Sequence, residues 1–286
     1  MKIMRAEHLG MCFGVRDAIA LALEAAGGGA ITVLGDLVHN ETVLAGLRAR
    51  GIGIEQDAAR VKTGTVMITA HGASERRRDE ARGRGLKVLE ATCPLVHAAH
   101  QALAKLVRDG FYPVVIGKPG HVEVRGLVED LAEHSVVADE GDLACLPARP
   151  RYGIISQTTQ PIEKVRQLVQ RIRDRFASSE IRFIDTVCQP TKQRQVAATD
   201  LAHKCSVVIV IGGAHSNNTH ELVRTCSHFC SRVHHVQDAR DLRDEWFTAG
   251  DVVGITAGTS TPDDVIAEVE RSLARIDKEK YERHLV

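Results

Sequence analysis

Cys12, Cys93 and Cys188 each stand just ahead of a helix-like stretch, in GMCFGVRDAIALAL, ATCPLVHAAHQALAKL and TVCQPTKQRQVAATDLA, at spacings of 81 and 95 residues. A thiol at a helix N-terminus is biased toward thiolate, because the unpaired N–H groups and the helix dipole favour negative charge. Three such cysteines at a domain-sized period point to three thiolates gathered at one centre, each from its own copy of a repeated unit. Three thiolates on a metal cluster leave one metal corner free for substrate, so such a site is catalytic rather than only electron-carrying.

Polar turns recur with the same period. One set is VLGDLVHNETV, VVIGKPGHVEV and VIVIGGAHSNNTHEL; a second is VMITAHGAS, GIISQTTQP and VGITAGTSTP. They place His39, His71 and His121 after strand ends, Ser216, Asn217 and Asn218 in the matching turn of the third copy, and Thr158 and Ser260 in the second set. With helix N-termini, these neutral or weakly cationic donors can hold an anion without lysine or arginine. Each alone is equally well a helix cap or turn residue; recurrence at matching positions favours binding. Glu123 stands two residues behind a motif histidine, in GHVEVRG. A carboxyl beside a substrate can shuttle protons if its pKa is raised, although a surface glutamate opening a helix has the same local sequence. In an extended segment His121 and Glu123 share one face. Arg16, Asp17, Arg125 and Arg194 read as structural.

The remaining cysteines carry less. Cys145 and Cys205 read as loop or core residues. Cys226 and Cys230 share a helix face with His234 next along, but no second ligand pair follows at zinc-finger spacing. Buried small hydrophobes fit them better. His97, His100, His203, His228 and His235 read as helix-surface residues.

The elements that must position these groups alternate. Short β-branched runs predict strands at 31–34, 65–69, 113–116, 152–155, 207–211 and 252–256. Helices are predicted at 14–26, 41–49, 94–109, 162–176, 190–203, 218–230 and 263–276, with Pro94 and Pro190 in first turns that tolerate them. Alternating β and α implies parallel sheets, which bind ligands beyond the carboxyl ends of their strands. The polar turns lie at those ends. We therefore expect an α/β protein of three pseudo-symmetric small units, 1–92, 93–187 and 188–286, with parallel sheets around a central cavity lined by the cysteines and polar turns. Repeats of this length are domain-sized, and units this small must pack on one another to bury enough core. The tail IDKEKYERHLV reads as charged and solvated.

Composition excludes several classes. The 286 residues are 44% hydrophobic and 26% charged, as in soluble globular proteins. Lys+Arg and Asp+Glu are both 37, so net charge makes no case for nucleic acid. The N-terminal sequence lacks a signal-like apolar run, and no stretch approaches membrane-spanning length. The expected location is the cytoplasm, where 7 cysteines point to metal or catalysis before disulfides.

These motifs jointly resemble the 4-hydroxy-3-methylbut-2-enyl diphosphate reductase (LytB) family. The anchors run almost end to end: CFGVRDAI, LVHN, AHG, ATCPLV, GHVEVRG, SQTTQ, DTVCQPTKQRQ, HSNNTHEL and TAGTSTPD. The resemblance implies a [4Fe–4S] cluster on Cys12, Cys93 and Cys188, its fourth iron open to the hydroxyl of an allylic diphosphate. It implies Glu123 as proton donor with Thr158 orienting the relay, and His121 also passing protons. It implies a diphosphate site of His39, His71, His121, Thr158, Ser216, Asn217, Asn218 and Ser260, and reduced ferredoxin or flavodoxin as electron donor. Nucleic acid and membrane are not expected partners. Asn217 stands where relatives often have serine, Val122 replaces a common proline, and Pro190 is less usual. Two other readings stay open: a paralogue reducing another allylic diphosphate, and a non-enzymatic iron–sulfur carrier or sensor. A carrier would need four protein ligands and no anion pocket, whereas the motifs supply three and a full polar set.

Overall fold

Runs such as ITVL, YPVVI and VVIVI are apolar on both faces, so each must be covered on both sides, as inner strands of parallel sheets are. A computed structural model of the chain, describing residues 1–283, places them so. The chain begins with β1 (Lys2–Arg5), α1 (Phe13–Gly27), β2 (Ile31–Leu34), α2 (Glu41–Ala49), β3 (Gly53–Glu55), β4 (Thr65–Ile68), α3 (Glu75–Gly83) and β5 (Lys87–Glu90). It continues through α4 (Pro94–Arg108), β6 (Tyr112–Ile116), α5 (Val122–Val128), β7 (Ser135–Val137), β8 (Arg151–Ser156), α6 (Ile162–Arg175) and β9 (Glu180–Phe183). The last part holds α7 (Gln189–Ala202), β10 (Val207–Ile211), α8 (Asn217–Ser227), β11 (Val233–Val236), β12 (Val252–Ala257) and α9 (Asp263–Arg283).

Three four-stranded sheets result, ordered β3-β2-β4-β5, β7-β6-β8-β9 and β11-β10-β12-β1, with every pairing parallel. The six predicted strands are the inner pairs of these sheets. The others are edges, three-to-four-residue segments with mixed exposure such as KVLE and EIRF. Charged residues on edges block further strand pairing, and they also erase the apolar signature that marks the inner strands.

The N-terminal strand departs from chain order. β1 belongs by sequence to 1–92, yet it pairs with β12 from Lys2↔Val252 to Arg5↔Ile255. It takes the place in its sheet that β5 and β9 take in theirs. Each cysteine segment therefore leaves an edge strand, and the helix after it leads into the next sheet in chain order.

The chain divides into two compact units. One comprises Met1–Phe13, His39–Val43 and the chain from Gln189 onward; the other comprises Gly14–Val38 with Leu44–Cys188. In the first, Val207, Ile209 and Ile255 pack against Val269 and Leu273 of α9. The opposite face of that sheet packs Val208 and Val210 against Leu201, Leu222 and Cys226. The second unit holds the other two sheets, each with its own apolar core. The tail expected to be solvated from Ile276 is helical as far as Arg283, with Lys280 Nζ donating to the Asp244 carbonyl at 2.6 Å; residues 284–286 lie outside the described residues. No described helix is long and apolar enough to cross a membrane.

Candidate functional site

The cysteine backbones repeat one arrangement three times. Cys12 directly precedes α1, Cys93 is the N-cap of α4 with Pro94 next, and Cys188 directly precedes α7. Each cysteine N–H donates to the second residue past the end of an adjacent inner strand. The acceptors are the Thr259 carbonyl at 3.0 Å, the Ala70 carbonyl at 3.1 Å and the Thr158 carbonyl at 2.9 Å. The polar turns thus hold the cysteines through the main chain. All three cysteines are half-buried and none of the seven is in a disulfide. In the second unit, a Cβ added at Gly14 would lie 2.5 Å from Cys93 Sγ, so the first turn of α1 must lack a side chain there. Among the described residues no three His, Cys, Asp or Glu side chains stand together as a metal-holding group. The donor chemistry does suit an iron–sulfur cluster, which is held by thiolates.

In the second unit, sequence and structure differ over His121 and Glu123. They do not lie on an extended segment; His121 is the N-cap of α5 and Glu123 sits in its first turn. The Glu123 N–H donates to His121 Nδ1 at 3.2 Å, so a neutral His121 carries its proton on Nε2. Val122, in place of the common proline, is the first residue of this helix, a position that proline and other residues both suit. Glu123 is 1% exposed, which removes the surface reading. Its Oε1 accepts from the Thr158 N–H at 2.6 Å and its Oε2 from the Thr158 hydroxyl at 3.0 Å. Burial pushes its carboxyl up to about 7, although both Thr158 bonds pull the other way. A carboxyl poised near neutrality suits a general acid. His71 packs edge-on to His121, with ring centroids 5.5 Å apart.

In the first unit, Ser216 caps α8 by accepting from the Thr219 N–H at 3.3 Å. The Thr259 N–H donates to Asn218 Oδ1 at 3.0 Å. The amide nitrogens of Asn217 and Asn218 are buried without a described hydrogen bond. Two such donors at a helix N-terminus can accept an anion; Asn217, in place of the usual serine, keeps a donor there. Ser260 Oγ donates to the His39 carbonyl at 3.5 Å. A Cβ on Gly213 would meet that same carbonyl oxygen at 2.1 Å, so only glycine permits this approach.

Several residues escaped the motif reading. Gln157 is fully buried and its Oε1 accepts from the Lys118 N–H at 3.0 Å, tying the turns after β6 and β8 together. The SQTTQ motif was its only signal. Thr219 Oγ1 is buried against Gly212 and Gly258, each of whose added Cβ would lie 2.3 Å from it. His100 is half-buried rather than on the open surface: its Nε2 is buried beside Gly72, and burial pulls its pKa down to about 4. His235 lies on strand β11, not on a helix, with Nε2 2.8 Å from the Gly212 carbonyl. Cys226 and Cys230 are core residues, burial pushing the Cys226 thiol up to about 12. His234 instead stacks on Trp246 at 4.0 Å, so these three form no zinc set.

A family model described as LytB protein matches residues 3–274. A 4-hydroxy-3-methylbut-2-enyl diphosphate reductase of Trichlorobacter lovleyi is 37% identical over 279 residues, 97% of this chain and 99% of its own. One from Geobacter sp. strain M21 is 38% identical over 283 residues, 98% and 99%. Among solved structures, the E-1-hydroxy-2-methyl-but-2-enyl-4-diphosphate reductase of Plasmodium falciparum superposes with a TM-score of 0.88 at 25% identity, covering 96% of this chain and 87% of that one. A further structure, described as the terminal enzyme of the non-mevalonate pathway, gives 0.66 at 34% identity, covering 96% and 100%.

Proposed function

The chain belongs to the LytB family, and from that premise we propose that it is a cytoplasmic oxidoreductase of isoprenoid biosynthesis. It removes the hydroxyl group of 4-hydroxy-3-methylbut-2-enyl diphosphate, giving isopentenyl and dimethylallyl diphosphate. Two electrons and two protons enter, the C–O bond breaks, a C–H bond forms and water leaves. Cys12, Cys93 and Cys188 would hold a [4Fe–4S] cluster, thiols at helix N-termini being suited to bind as thiolates. When bound, the cluster supplies electrons singly and Lewis acidity toward the leaving oxygen. Reduced ferredoxin or flavodoxin supplies the electrons.

Hydroxide is a poor leaving group, so a proton must meet the departing oxygen. Glu123 gives that proton, and its carboxyl is held for the task by both Thr158 bonds. The diphosphate is held by His39, His71, His121, Thr158, Ser216, Asn217, Asn218 and Ser260. The buried Asn217 and Asn218 amides and the α8 N-terminus supply donors without a desolvated lysine.

The observation that carries this reading is the fully buried Glu123, its carboxyl near neutrality and held by two bonds from Thr158. Anaerobic reconstitution with iron and sulfide, then incubation with the diphosphate and a strong reductant, tests it. Both isomeric products are expected, and changing Cys12, Cys93 or Cys188 to Ser removes stable iron while Cys145→Ser does not. Iron retained in all three Ser variants, or no substrate consumed by loaded protein, overturns it.

A further inference from the structure

Cys12 is the most loosely tethered of the three cysteines along the chain. It lies seven residues past the end of β1, whereas Cys93 lies three past β5 and Cys188 five past β9. A longer connection has more conformations to lose, so holding Cys12 needs more than its main-chain bond to Thr259.

A buried guanidinium provides it. Arg194 is 8% exposed and lies on α7, six residues after Cys188. Its Nε and Nη2 both donate to the Gly10 carbonyl, at 2.9 and 2.7 Å. Its Nη1 donates to the Pro190 carbonyl in the first turn of α7 at 2.9 Å. Gly10 is held from its other side too: its N–H donates to the Ala257 carbonyl at 3.1 Å, and its φ is +75°. An added Cβ there would lie 2.8 Å from Ile266 Cδ1. At the matching positions of the other cysteine helices stand Ala18 and Ala99, both fully buried. An arginine replaces this small apolar residue only in the helix facing the longest tether.

We propose that Arg194 is a positioning residue for Cys12: its guanidinium clamps the Gly10 carbonyl to the first turn of α7 and so fixes the segment that presents the Cys12 thiol. Its consequence for the cluster rests on Cys12 being a ligand, but the clamp can be measured without iron. Hydrogen exchange on the metal-free protein is the test. Arg194→Gln should speed exchange of the Gly10 and Cys12 amides about tenfold or more, the scale of losing charge-assisted hydrogen bonds, and leave the Cys93 amide unchanged. Arg194→Lys keeps the charge but has no planar fork, so it should fall between wild type and Gln. After reconstitution, the same order should appear in the rate at which a chelator strips iron. If Arg194→Gln does not fold, Arg194→Lys alone decides. Wild-type protection of Gly10 and Cys12 in the folded variants, or equal loss at Cys93, overturns the proposal. Local loss of protection with iron stripped at the same rate from wild type and both variants supports the clamp and overturns only the ligand role of Cys12.

Discussion

Glu123 concentrates the proposed chemistry at the residue scale. Below about 7 its carboxyl carries a proton to give; above, it does not. Turnover with a non-limiting reductant should therefore fall as pH rises through about 7. Glu123→Gln keeps the shape and lets Thr158 donate to the amide oxygen, but it cannot act as an acid. It should keep iron and bind substrate, with turnover lower by the ~10²–10⁴-fold typical of a lost general acid; wild-type turnover would transfer the role elsewhere. The same burial gives a stability prediction. A carboxyl raised from 4.5 to about 7 in the folded state contributes stability fully present below 4.5 and lost as pH rises through about 7. Glu123→Gln, which never ionises, should gain Tm over wild type at high pH and lose that advantage in acid. An equal difference at both ends in thermal melts would contradict the assigned burial cost.

At the scale of elements, each cysteine stands where a helix begins and a polar turn accepts its N–H. Gly14 shows how little room this leaves. Alanine in place of glycine in an open helix gains up to about 1 kcal/mol, and Gly83, with nothing near its added Cβ, is a fitting control. At Gly14 the added methyl meets Cys93 Sγ at 2.5 Å, and overpacking costs about 1–3 kcal/mol. Gly14→Ala should lower Tm and reduce iron bound after reconstitution, while Gly83→Ala does neither. Full iron content and an unchanged melt for Gly14→Ala would show that the Cys93 side chain moves aside freely.

For the whole molecule, the place of β1 is the informative feature. It completes the sheet of β10, β11 and β12, as β5 and β9 complete theirs, but it arrives from the other end of the chain. The Met1 amino group pairs with Asp277 of α9, so the last third of α9 and the start of β1 are neighbours. A permuted chain that begins at His8 and joins residue 280 to Met1 by a short linker should therefore fold, since exposed loops tolerate such cuts. Circular dichroism and a cooperative melt near that of the parent are expected. A chain lacking residues 1–6 altogether should melt lower, because the β12 edge loses its ladder. A permuted chain no more stable than the truncated one would mean that β1 needs its native connection to Cys12.

The sequence by itself determined the inner strands, the helices that open after the cysteines, and the turns bearing His39, His71, Thr158, Ser216 and Ser260. Those features are local: a strand covered on both faces must be continuously apolar, and a helix start must carry its own capping chemistry. Only the tertiary structure decided the edge strands, whose mixed residues have no local signature, and the sheet to which β1 belongs. It also decided that Glu123 is buried rather than a surface helix opener, that His100 lies under Gly72, and that Arg194 grips Gly10 across 184 residues of chain. Burial, and the hydrogen-bond partner it brings, belong to contacts between distant segments. A carboxyl's acidity and an arginine's purpose are set there, not by the residues beside them.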